Sequence, residues 1–223
     1  MTTIKSPKTS RKPSHNGDVA KAAGSRPPKA VQVAIGFRVK SGRAIAVVLA
    51  GPPRSPQVLA RREIQLCDPA VPDSMQPYHA ALELTGQKAD KTVERLVKIV
   101  RRATSASAGK LIKEWRAAGH EIGGAGLVVG SLIDPATIAN DHIRAHALEG
   151  QLFRVSVQEA LRSNGLTSVS ITERVVYSEG AAALSIPEGE LKRAATELGR
   201  GVSGPWRAEE KTAAVAAWMA LGK

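Results

Sequence analysis

Cysteine is nearly missing from this chain: Cys67 is the only one among 223 residues. An intrachain disulfide and a cysteine-built zinc site within one chain are excluded, and a lone thiol suits a cytoplasmic setting. Aromatic residues make up only 3%, so the core must be filled by Ala, Val, Leu and Ile. No apolar run is long enough to span a bilayer, and the N-terminal segment lacks the apolar centre of a secretory signal. A cytoplasmic location with no membrane association is therefore expected. Acidic residues are in deficit, 20 Asp and Glu against 32 Lys and Arg, which leaves a net charge of +12. There is no Gly-x-Ser-x-Gly elbow. The glycines between Gly119 and Gly126 precede a strand instead of opening a helix, so they are not a phosphate-binding loop.

What is present fits one domain with a tail. Residues 1–30 carry seven Lys and Arg against Asp18, half of the total excess. They are rich in Ser, Thr, Pro and Lys and have no apolar periodicity. This composition predicts a disordered basic tail over residues 1–30 and a folded domain over residues 31–223. Such an arm either attracts nucleic acid through counterion release or serves as a solubilising leader.

The folded part opens with three strands. Val31–Val39 and Arg43–Ala50 are β-branched runs flanking the short connection Lys40-Ser41-Gly42, a hairpin signal. After the breaker Gly51-Pro52-Pro53, Gln57–Leu66 gives a third strand whose charges Arg61, Arg62 and Glu63 place it at a bend or edge. From Asp90 the spacing of Val93, Leu96, Val97 and Val100 predicts a helix ending at Gly119, with Ser105–Gly109 as its interruption. Gly126–Ile133 reads as a buried parallel strand. Asn140 or Asp141 caps a helix to about Asn164, with Ile143, Leu152, Phe153, Val157 and Leu161 as its core face. Ser168–Tyr177 is the last strand, and helices follow from Glu188 and over Arg207–Leu221. The order is β-β-β-α-β-α-β-α, an α/β chain with an antiparallel three-strand meander followed by alternating helices and parallel strands.

That order, with three local segments, resembles the ribonuclease H-like superfamily, and within it the RuvC-type Holliday-junction resolvases. Ala34-Ile35-Gly36-Phe37-Arg38-Val39-Lys40-Ser41-Gly42 is similar to the family's first strand and turn. Leu127-Val128-Val129-Gly130 is similar to its fourth strand, and Glu209–Met219 to its final helix. The resemblance implies clustered carboxylates that hold two divalent metals and cut nucleic acid. Here Arg38 stands where the first acid belongs, Gly130 and Ser131 near the second, and Glu209 and Thr212 at the last pair. Metal-dependent nuclease activity is therefore expected to be absent, with no metal and no cofactor. The scaffold reads as a module that binds nucleic acid, a protein, or a second copy through the Ala-rich face Ala213–Ala217 with Trp218.

Two groups of side chains could carry chemistry. Arg38, Lys40 and Arg43, joined by Arg61 and Arg62, could grip phosphate; a solvated strand end is the alternative. No aromatic side chain is interleaved with them, so base stacking is not expected. His142, His146 and Glu149 fall along one helical stripe. They are candidates for a transition-metal set, for a general base with an oriented tautomer, or for a solvated face. Arg144 and Arg154 lie nearby, and Gly150 suggests close approach by another backbone. Tyr78-His79 follows Pro77 in a loop and reads chiefly as packing; an enzyme acting on a small substrate would place the histidine stripe beside it.

Overall fold

The structure, a computed structural model, describes residues 31–222; the tail expected over residues 1–30 lies outside the described residues. The hairpin forms as its sequence dictates. Strands β1 (Val31–Lys40) and β2 (Arg43–Ala50) pair antiparallel without a slip, from Val33 opposite Ala50 to Lys40 opposite Arg43. Gly42 closes the turn at φ +77°, a conformation that strains any residue bearing a Cβ. Strand β3 (Gln57–Gln65) adds antiparallel at the sheet edge, where its charged residues can reach water. Strands β4 (His120–Val129) and β5 (Ser168–Thr172) extend the other side in parallel, giving the order β3-β2-β1-β4-β5.

Alternation along the strands divides the core in two. Val33, Ile35, Phe37 and Val39 of β1 point toward helices α1 (Gly86–Ala117) and α2 (Asp141–Ser163). Ala34, with Ile45, Val47 and Leu49 of β2, faces the opposite layer. That layer holds α3 (Val176–Leu184), α4 (Glu188–Glu197) and α5 (Ala208–Leu221). Each fully buried Leu or Ile contributes about 1.5–3 kcal/mol, which lets an aromatic-poor core suffice.

Gly36 and Gly126 are register partners on β1 and β4. A Cβ on Gly36 would lie 1.8 Å from the carbonyl oxygen of Ala213, and one on Gly126 2.5 Å from that of Ala216. Two glycines side by side thus let α5 press its backbone onto the sheet. The Ala-rich face expected to be open to a second copy is consumed by this contact: Ala213, Ala214 and Ala217 are fully buried, and Trp218 donates from Nε1 to the carbonyl of Pro53. Small side chains were chosen here for close approach within one chain.

Other differences have local causes. Helix α1 runs unbroken through Ser105–Gly109, because its small residues seat it against the end of β3: Thr104 donates to the Leu66 carbonyl and Ser107 to that of Gln65. Strand β4 starts at His120, so the glycine run lies within the strand, and Leu132 and Ile133 fall in an exposed loop. Strand β5 stops at Thr172, and the chain turns at Glu173–Val175 into α3. Ile143 is exposed instead of joining the core face of α2. Gly150 has open space around it, not a neighbouring backbone.

Candidate functional site: a cationic cleft beside a histidine cluster

In open α/β sheets, ligands settle outside the carboxyl ends of the parallel strands. A cleft of about 580 Å³ lies there, at the ends of β1 and β4 and against the start of α2. Its wall includes Arg38, Lys40, Arg43 and Arg154, with Gly130 and Ser131 beyond β4, and among the described residues that line it there is no Asp or Glu. Three of the cations come from the hairpin, where β1 ends and β2 begins; Arg154 comes from α2.

The hairpin cations are held from behind by carboxylates. Arg38 is buried and ion-paired with Glu173, just past β5, while its Nη1 donates to the Val39 carbonyl at 2.8 Å. Lys40 lies 2.6 Å from Glu209, and Arg43 makes a two-pronged contact with the same carboxylate at 2.9 and 3.2 Å. Burial pushes the Glu209 carboxyl up, but the hydrogen bonds from Lys40 and Arg43 together outweigh it and hold the group below its ordinary value. The same contact with Glu209 raises Arg43. Glu209 and Glu210 occupy the first turn of α5, where the helix dipole favours negative charge. Arg61 pairs with Glu210 at 2.7 Å in an adjoining groove.

The five basic residues expected to act together are therefore separated. Arg38, Lys40 and Arg43 line the cleft; Arg61 points into its neighbour; Arg62, exposed and opposite Ala46, lies on the other face of the sheet. Strand alternation forces that last split. Arg154 is the additional cleft cation, and its Nε has no partner among the described residues.

The helical stripe is also not one uniform surface. His142 and His146 are exposed, whereas Glu149 is completely buried. Its partner is His79: Oε1 of Glu149 lies 2.8 Å from the ring Nδ1 and accepts the backbone N–H of His79 at 3.2 Å. The loop containing Pro72, Pro77 and a short 3₁₀ turn at His79–Ala81 carries that imidazole onto α2. His79 is thus part of the candidate site, not loop packing. Tyr78 remains a packing residue, half-buried against the α1–α2 core, and burial raises its phenol. His146 lines both the cluster and the rim of the cleft.

No protein-family model and no curated protein matches the sequence. Among solved structures, Thermus thermophilus RuvC in complex with Holliday junction substrate is similar at a TM-score of 0.51 and 11% identity, over 84% of this chain and 91% of that one. A second structure of Thermus thermophilus RuvC aligns at a TM-score of 0.50 and 11% identity, over 84% and 92%. The chain has a ribonuclease H-like fold, and the RuvC-like resemblance read from its strand order holds at the level of that fold.

Proposed function

We propose that this domain is a RuvC-like scaffold that grips the phosphate backbone of nucleic acid in its cleft and does not cut it by two-metal chemistry. The observation that carries the reading is the cleft wall itself: four strong cations and, among the described residues that line it, no carboxylate, with Glu173 and Glu209 paired to the cations from outside the wall. A hard divalent cation needs oxygen ligands and negative charge. The positions matched to the family's acids do not supply them. Arg38 is a buried cation; Gly130 has no side chain; the Thr212 hydroxyl is already bonded to the carbonyls of Ala208 and Glu209. Glu209 is the one acid in place, and two cations occupy it. These residues do not fit magnesium.

The same groups fit phosphate. Lys40 and Arg43 are partly exposed and can exchange a carboxylate oxygen for a phosphate oxygen, while Arg154 offers guanidinium donors that no acid among the described residues holds. One of the RuvC structures is a complex with Holliday junction substrate, which makes a four-way DNA junction the first probe to use.

Fluorescence anisotropy with such a junction and with linear duplex tests the reading. Binding should weaken steeply as salt rises, since each neutralised phosphate releases counterions. Arg154→Ala should weaken it several-fold without loss of fold. Incubation with magnesium should leave both DNAs intact. Absence of binding at low salt, or cleavage that Glu209→Gln abolishes, overturns the proposal.

A further inference from the structure

Three of the five histidines in the chain meet at one point, brought together from two distant segments. His142 and His146 stand one turn apart at the start of α2, their ring centres 4.8 Å apart. His79 arrives from the loop before α1, 4.7 Å from the first ring and 4.2 Å from the second. One nitrogen from each ring lies within 4.8 Å of the others. Imidazoles do not gather this closely for apolar packing, because each keeps polar nitrogens that must be satisfied.

The carboxylate beneath them decides which nitrogens are free. Glu149 is fully buried and binds the Nδ1 side of His79, so Nδ1 carries the proton and Nε2 is left with its lone pair. That Nε2 is itself buried and has no partner among the described residues. Oε2 of Glu149 is likewise unpartnered and lies 3.9 Å from Nδ1 of His146, beyond hydrogen-bond reach but close enough for charge attraction. A buried carboxylate fixing the tautomer of a histidine that packs against two more imidazoles is the arrangement of a metal centre with its outer support. Glu149 also supplies negative charge that offsets the positive end of α2, which by itself would repel a cation.

We propose that His79, His142 and His146 bind a zinc-class divalent cation, with Glu149 as the positioning residue and water completing the coordination. Three neutral imidazoles suit zinc, cobalt, nickel or copper; magnesium and calcium require oxygen. Metal–nitrogen bonds of about 2.0–2.1 Å at tetrahedral angles put the nitrogens roughly 3.3 Å apart, so small ring rotations close the set. His142 and His146 are exposed and free to make them. The site lies beside the phosphate-binding cleft and stands whether or not that cleft binds nucleic acid.

The test uses the full chain, free of any affinity tag, titrated with Zn²⁺ by calorimetry and with Co²⁺ by visible absorption. One Zn²⁺ per chain and the intense absorption bands of tetrahedral cobalt are expected, with no displacement by excess magnesium. His142→Ala, a surface change that leaves the fold intact by circular dichroism, should weaken binding at least tenfold. Glu149→Gln should weaken it about 10–100-fold, the range for outer support of a metal-bound histidine. No stoichiometric binding, or binding that His142→Ala leaves unchanged, overturns the proposal.

Discussion

Arg38 and Glu173 form an ion pair of unequal partners: the guanidinium is 5% exposed and the carboxylate 42%. Each can be removed with different consequences. Without Glu173 the buried cation loses its counter-charge; without Arg38 the carboxylate turns to water. Glu173→Ala should therefore destabilise the domain by about 1–3 kcal/mol, the usual cost of stranding a buried polar group. Arg38→Met should cost less, since a buried pair is often replaceable by apolar packing. Urea unfolding of the two variants checks the order, and the reverse order would refute it.

Acid should weaken the clamp around Glu209. Its carboxyl titrates below the ordinary value of 4.5 in the folded chain. A depressed carboxyl stabilises the fold above its unfolded pKa and loses that contribution as pH falls through its folded pKa. The difference in melting temperature between the protein and Glu209→Gln should therefore be present at neutral pH and shrink away below 4.5. A difference that persisted in strong acid would show that geometry, not charge, holds the site.

The glycines give a contrasting pair. Gly36→Ala would push a Cβ into the backbone of α5 and should cost about 1–3 kcal/mol, or more if the helix lifts. Gly150→Ala meets open space within α2 and should stabilise by about 0.5–1 kcal/mol. Thermal melts decide both. Because Gly150 also borders the cleft, the variant shows in addition whether a methyl group there hinders DNA.

The strand order, the hairpin and the limits of α2 were legible because they rest on local signals: β-branched runs, a glycine turn, and Asn140, whose side chain accepts the Ile143 N–H. The start of β4 was not, since Gly126 answers to α5, which follows far later in the chain, and Gly123 to Gln32 on the neighbouring strand. Ser105–Gly109 looked like a break for the same reason; only the end of β3 explains small residues in mid-helix. At the site, the spacing of His142, His146 and Glu149 put them on one stripe, but no periodicity fixes where a proline-rich loop lands, so the part played by His79 was invisible. Likewise, the hairpin cations were evident, while Glu173 and Glu209 as their counter-charges required the tertiary fold.

The glycine seam beneath α5 has a consequence for how the molecule assembles. Ala34, Ile45, Val47, Leu49 and Val128 are covered from that side by a helix made after every strand of the sheet. During synthesis this greasy surface stays bare until residue 221 or so has emerged, leaving a late-closing wound that a chaperone, or misassociation, can reach first.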